Sequence, residues 1–274
     1  MKGDRSKTFL ITISAIVILL IYLFPVIWMV ATSFRFDQDA WSYPPKVFSK
    51  FTLSQYINLF KTRPIGMYFR NSFSVTTISV LFSMALGIPA AFALARFKIR
   101  RKKDISFWLL SQLMLPPIAA VVPYYLFMKQ LGLLQTRTSL ILVYSTFNIP
   151  FIIWMMTTFF EGLPREIEEA ALIDGCSIGK LFWKIVIPLS VNGIASAVLF
   201  CVITSWNEFL YALTLAGLDS YTLPVSVMTF WTDKHVYWGQ ILAIGILQAT
   251  PIVILGILIQ KFIISGLTLG AVKE

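Results

Sequence analysis

Apolar and charged positions fall along this 274-residue chain in long blocks. Six stretches lack any Asp, Glu, Lys or Arg: 8–34, 71–95, 105–128, 138–160, 185–207 and 236–260. Each has 23 residues or more, whereas crossing a hydrocarbon core of about 30 Å takes only about 20 helical residues. A soluble core helix has no need of that length six times. The pattern predicts an all-α membrane protein with six transmembrane helices. The first run exceeds the apolar core of a signal peptide, about 7–15 residues, and reads as an uncleaved span.

The connections differ in kind. Segment 35–70 is long and broken by Pro44-Pro45 and Pro64, and its "TLSQYINLF" predicts a short amphipathic helix at the interface. Residues 96–104 and 129–137 are tight loops, 161–184 is a large one, and 217–235 is a second substantial outer element. Pro25, Pro89, Pro116, Pro117, Pro123, Pro150 and Pro251 fall inside the spans, where each removes a backbone donor and bends its helix. Broken helices are tolerated where the freed carbonyls face protein or a water-filled cavity. A transporter or channel needs such cavities, although any single proline also reads as an ordinary kink.

Composition agrees: 57% of residues are hydrophobic and 13% charged, against about 25% charged in soluble domains. The net charge of +10 invites a nucleic-acid reading, but its distribution argues for membrane topology. With the amino terminus inside, the inner segments hold 14 of the 23 basic residues: Lys2, Arg5, Lys7, six in the block Arg96 to Lys103, Arg165, Lys180, Lys184, Lys261 and Lys273. The short outer loops hold only Lys129, Arg137 and Lys234. Basic residues in short loops stay cytoplasmic, so "ARFKIRRKKD" reads as a topology anchor and both termini as cytoplasmic. The partner implied is the lipid bilayer, with no nucleic acid. Cys176 and Cys201 fall in a loop and inside a span; they read as small hydrophobes, with no disulfide between them.

The segment "EEAALIDGCSIGKLFWKIVIP", Glu168 to Pro188, departs from the apolar blocks around it. A P-loop needs two glycines with four residues between them, then Lys and Ser or Thr, between strand and helix. Here three residues separate Gly175 from Gly179, Leu181 follows Lys180, and no apolar strand precedes. The nucleotide-binding reading fails. What the residues predict is two short helices. Pro164 suits a first turn, and Glu166, Glu168 and Glu169 suit the positive amino-terminal end. Asp174-Gly175 is a stop with Gly in the left-handed conformation, and Ser177 is a cap for a second helix with Leu181, Phe182, Ile185 and Val186 on one stripe. Such a knob fits a groove on a partner, or lies on the membrane surface.

One longer pattern decides between these. Glu169-Ala170-Ala171, three residues, Gly175, nine residues, then "IVIP" to Pro188 resembles the EAA loop of binding-protein-dependent ABC importers. Cys176 and Ile187 stand where that family more often has a small residue and Leu. "RNS" at 70–72, "AAFALARFKIRRKK", "WNEFLYAL" at 206–213, "YTLPV" at 221–225 and the ending "GLTLGAVKE" resemble the smaller permease of the maltose-type sugar importers. The resemblance implies a type I importer transmembrane fold and a role for Glu168, Glu169, Ala170, Ala171, Asp174, Gly175 and Pro188 in coupling to an ATPase. It also implies a second homologous permease, a homodimeric ABC ATPase that uses ATP and Mg²⁺, and an extracytoplasmic sugar-binding protein. This chain itself would bind no cofactor and carry no catalytic site. The expected divisions are 1–34 (tail and first span), 35–67 (outer loop), 68–265 (core permease domain, with coupling loop 161–188) and 266–274 (inner tail). The location implied is the cytoplasmic membrane of a bacterium or archaeon.

A sugar pathway needs hydrogen-bonding groups at depth. Tyr144 and Asn148 in span 4, Asn192, Ser196 and Asn207 in span 5 and Gln248 in span 6 are candidates. Each is equally readable as interhelical glue, worth about 0.6 kcal/mol on average. Glu208 is the only carboxylate in an apolar run of 185–218; intramembrane charges face a cavity or a partner. It reads as a gate or hinge beside Trp206 and Asn207, with sugar contact as the alternative. In the outer element, Asp219, Tyr221, Trp231, Lys234 and His235 are candidates for binding-protein contact, the other reading being an aromatic belt. His235 has no Cys or His companion, so no metal site is expected.

Two rival classes fare worse. An ion-coupled secondary transporter or channel would want a relay of buried charges or an inverted repeat, and the spans offer one carboxylate. An intramembrane enzyme would need a paired acid and base or a metal cluster, which one His cannot supply.

Overall fold

The computed structural model describes residues 2–44, 46, 49–231 and 236–271, with side chains described from 8 to 260 within those limits. Among the described residues, four helices are long and apolar enough to cross a membrane: α1 (Lys2–Ser33), α4 (Ile65–Arg96), α7 (Arg137–Glu161) and α14 (Trp238–Ala271). Two bent pairs bring the number to six if each is one span. The first pair is α5 (Lys102–Met114) with α6 (Pro117–Gln130), bent by 96°. The second runs from Ile178 to Leu189 and then through α11 (Val191–Trp206), bent by 75°. Among the described residues there is no strand, only an isolated bridge between Trp231 and Val236. The chain is a multi-pass helical membrane protein.

Two of the proline breaks inside the apolar runs are full bends. The third apolar run, 105–128, is two helices. Pro116 and Pro117 supply no amide protons, and a residue before proline is pushed out of the helical region. Leu115 and Pro116 accordingly sit at ψ 121° and 127°. In the fifth run, Pro188 cannot donate to the carbonyl four residues back. The backbone widens into a π-turn over Phe182–Val186, where the Ile187 amide reaches the Phe182 carbonyl. The chain then breaks at Ser190.

The chain divides into two units, Met1–Gly66 with Ser226–Thr250, and Met67–Val225 with Pro251–Glu274. In the first, α1 leads through the short α2 (Asp37–Ala40) to the amphipathic α3 (Ser54–Thr62), which buries Gln55 and Leu59. Gln55 Nε2 donates to the Arg35 carbonyl at 3.0 Å, and Ser33 and Tyr56 share a hydroxyl hydrogen bond of 2.9 Å. Arg63 donates to the Thr229 carbonyl at 3.0 Å and lies over the Phe230 ring.

The second unit has two apolar cores. One gathers Ile88, Phe92, Leu109, Met156, Phe160, Phe182 and Ala197. Phe92 meets Phe160 edge-on at 5.9 Å and Phe182 at 5.1 Å. Gly193 lets α11 approach α7 closely, since a Cβ there would stand 2.6 Å from the Phe159 ring. The other core joins Val75, Val121, Leu140, Tyr144, Tyr211, Leu215 and Val225.

Candidate functional site

After α7, the chain projects α8 (Arg165–Ile173) and α9 (Ile178–Leu181), the latter running into the π-turn and α10 (Ile187–Leu189). Pro164 stands just before α8 rather than in its first turn. Gly175 ends the helix at φ +81°, with its amide on the Leu172 carbonyl and the Cys176 amide on that of Ala171. Only Gly fills such a position without strain. Ser177 occupies the cap position of α9, but its hydroxyl makes no capping hydrogen bond. Leu181, Phe182 and Val186 are buried in the first core, as the stripe predicts.

Along α8, Glu169, Ala170, Ile173 and Asp174 are exposed, as is Pro188 beyond the π-turn, while Ala171 packs partly against the core. Glu168 differs: it is the one buried residue of the helix. The Arg96 Nε donates to both of its oxygens, at 2.9 and 2.8 Å, and the terminal guanidinium NH2 to Oε1 at 2.6 Å. Glu168 thus faces its own chain, whereas the sequence grouped it with residues that meet a partner. Arg96 likewise is more than a topology anchor. Nearby, Lys102 Nζ donates to Glu161 at 2.7 Å on the surface. A gap of about 220 Å³ beside the Arg96–Glu168 pair is lined by Phe92, Phe97, Arg165, Glu169, Leu172 and Leu181, among others.

A second cavity, of about 400 Å³, opens among α5, α6, α7, α11 and α12 (Leu210–Leu215). Gln112, Thr146, Asn148, Thr204 and Glu208 give it polar groups, and Tyr124, Phe147, Phe151, Phe200 and Tyr211 give it aromatic walls. Asn148 donates to Ser205 Oγ at 2.8 Å, leaving its buried Oδ1 without a hydrogen bond. Glu208 Oε1 accepts from the Tyr211 amide at 2.7 Å, closing the first turn of α12. Tyr144 is buried in the second core, its hydroxyl 3.5 Å from the Glu208 carbonyl.

The other polar candidates do not converge there. Asn207 Nδ2 turns back to the Ile203 carbonyl, and Ser196 Oγ to that of Asn192. Asn192 and Ser196 are half-buried outside the cavity lining. Trp206 packs edge-on against Phe69 and lines a separate apolar gap with Phe73, Pro251 and Leu255. Gln248 is half-buried and belongs to the other unit. Of the outer candidates, Asp219 and Tyr221 offer their carbonyls to Asn71 Nδ2 at 2.8 and 3.0 Å, and Trp231 is exposed. Lys234 and His235 lie outside the described residues.

Sequence reasoning missed Arg96, Asn71 and Ser72 as structural partners. Asn71 and Ser72, buried on α4, hold the chain before α13 (Leu223–Ser226), Ser72 Oγ accepting from the Leu223 amide at 2.8 Å. The signal was there: "RNS" and "YTLPV" are two of the motifs that carry the family resemblance, and they touch each other. Among the described residues no group of three or more His, Cys, Asp or Glu gathers to hold a metal.

Long apolar helices, bent pairs, an aromatic-walled cavity with a few polar groups and a charged two-helix projection mark a multi-pass membrane protein with room for a small solute. The model of the binding-protein-dependent transport system inner membrane component family matches residues 83–269. The chain belongs to that family. It is 37% identical over 98% of its length, and 96% of the relative's, to the "Probable ABC transporter permease protein y4oR" of Sinorhizobium fredii. With the trehalose/maltose transport system permease protein MalG of Thermococcus litoralis it shares 32% identity over 100% of this chain and 99% of the relative. A crystal structure of a bacterial ABC transporter involved in importing the acidic polysaccharide alginate superposes with a TM-score of 0.77, at 22% identity, over 96% of this chain and 98% of that one. The fold is that of a type I ABC importer transmembrane subunit.

Proposed function

We propose that this chain is the smaller permease of a sugar or oligosaccharide importer. It pairs with a second, homologous permease to enclose the pathway, receives solute from an extracytoplasmic binding protein, and is driven by a homodimeric ATPase. ATP and Mg²⁺ belong to that ATPase; this chain catalyses nothing. Its place is the cytoplasmic membrane of a bacterium or archaeon. The single observation that carries the coupling role is the projecting α8, whose Glu169, Ala170 and Ile173 stay exposed ahead of a glycine held at φ +81°. A helix that leaves apolar and acidic side chains in solvent, on a rigid turn, suits a cleft in a partner.

The sugar assignment rests on relatives named for trehalose/maltose and diacetylchitobiose uptake. The cavity chemistry agrees with it: aromatic faces with amide, hydroxyl and carboxylate groups suit a polyol whose rings have apolar faces. Glu208 belongs to this chain's wall of the pathway, Asn148 and Tyr144 brace that wall from within the helix packing, and Asp219, Tyr221 and Trp231 are its contacts for the binding protein. Co-purification from the native membrane, then an ATPase assay in lipid, tests the proposal. A second permease and an ATPase accompany the chain, and the sugar-loaded binding protein raises hydrolysis. Purification as a lone homo-oligomer that moves solute without ATP would overturn it.

A further inference from the structure

We propose that Arg96 is a positioning residue for coupling: its fork on Glu168 fixes the rotation and register of α8 against the end of α4. The inference rests on the coupling role of α8 proposed above. Three observations carry it.

First, α8 has little else to hold it. Glu168 is the only buried residue among its nine, and Ala171 is the one other apolar side chain packed against the core. Ile167, Leu172 and Ile173 are 43, 45 and 86% exposed. A helix with so little buried apolar surface gains little orientation from packing. Second, the pair has directional geometry. Three hydrogen bonds from one guanidinium to one carboxylate set an angle as well as a distance, because the donors lie in one rigid plane. Both side chains are nine-tenths buried, so water does not compete for the donors, unlike at the exposed Lys102–Glu161 pair. Third, Arg96 is the last residue of a 32-residue helix and is flanked by the gap lined by Phe92, Phe97 and Leu172. With empty space on one side, packing alone does not fix how α8 sits. A push on α8 therefore reaches α4 through the ion pair.

Removing one partner strands a buried charge and threatens folding, whereas replacing both by apolar residues of like size is tolerated far better. The test therefore uses the double variant R96M/E168M and the swap R96E/E168R, each in the complete assembly. Two quantities are read: the ratio of stimulated to basal ATPase, and amide exchange over 165–181. The double variant assembles in wild-type amounts, its stimulation ratio falls about tenfold, and α8 exchanges about tenfold faster; the swap recovers at least half of the ratio. A merely structural pair would lower the yield of complex and leave the ratio alone. Full stimulation in the double variant, with a normally stimulated wild type, overturns the inference and spares the transport reading. A wild-type assembly that the loaded binding protein fails to stimulate sinks both.

Discussion

Glu168 and Glu208 are carboxylates in largely apolar surroundings, and the chain satisfies them in opposite ways. Glu168 meets a guanidinium 72 residues earlier through three hydrogen bonds. Glu208 accepts from a backbone amide three residues later. The first bond fastens one element to another; the second completes a single local turn. The projecting loop is thus held by long-range polar contacts and leaves its surface free. At the cavity the carboxylate only caps its own turn, while neutral hydrogen bonds such as Asn148–Ser205 and aromatic packing join the helices: Tyr124 meets Tyr211 at 5.6 Å, and Phe147 stacks on it at 6.4 Å. A disturbance at the loop should change how segments move together, while one at the cavity should mostly change local stability.

The largest expected effect is at Gly175. No atom comes within 4 Å of a Cβ built there, so the obstacle is conformational rather than steric. Holding a non-glycine residue in a sparsely populated backbone region costs about 1–3 kcal/mol, and a β-branched one relieves it by re-forming the turn. Gly175→Val should insert normally, yet lose stimulated ATPase and transport. Gly175→Asn should keep most of both, because Asn visits the left-handed region. Full coupling in the Val variant would erase the contrast between loop and cavity.

How far the sequence reached follows the same divide. Apolar run length gave the helices, because a span is a one-dimensional property of the chain. The turn at Gly175 was legible for a similar reason: helix stops are written in adjacent residues. The 96° break was half-legible, since Pro116-Pro117 marks a bend without saying how large. The pairing of Arg96 was not legible, because a basic residue beside a span looks the same whether or not it also reaches a glutamate 72 positions on. The local partners of the polar candidates were not legible either. Asn207 and Ser196 satisfy their own helix carbonyls, which helical spacing alone does not distinguish from lining a path.

Glu208 comes next. Glu208→Ala leaves the Tyr211 amide without its acceptor, and losing a helix-start acceptor costs about 1 kcal/mol. For a chain of this size that lowers the thermal midpoint by about 2–4 °C. Glu208→Gln keeps a carbonyl acceptor and should restore most of the loss. Should both variants instead melt normally and cut transport equally, the charge itself serves the cavity, and Glu208 ceases to be the local counterpart of Glu168.

Asn148 should matter less. Its bond to Ser205 links two helices, and such bonds in membranes average about 0.6 kcal/mol. A double-mutant cycle with Asn148→Ala and Ser205→Ala should return a coupling of that size, with the apparent affinity for sugar unchanged. A shift in apparent affinity from the Asn148 variant alone would move this residue from glue to pathway.

The smallest effect belongs to a third carboxylate, Asp39 in the other unit. Hydrogen bonds from Lys46 and then Ser49 hold its carboxyl below the usual range, although the Lys46 side of the pair is open to solvent. The folded value is depressed, so its stabilisation is present above the unfolded value of about 3.9 and is lost as pH falls through the folded one. Between pH 5 and pH 3 the wild type should therefore lose slightly more thermal stability than Asp39→Asn. Exposed pairs contribute little, and at 1 M salt, where the screening length is about 3 Å, the difference should shrink to what the neutral Ser49 hydrogen bond supplies. A difference undiminished by such salt would show an exposed pair behaving like Arg96–Glu168. Burial would then not be what separates a bond that positions a helix from one that merely decorates a surface.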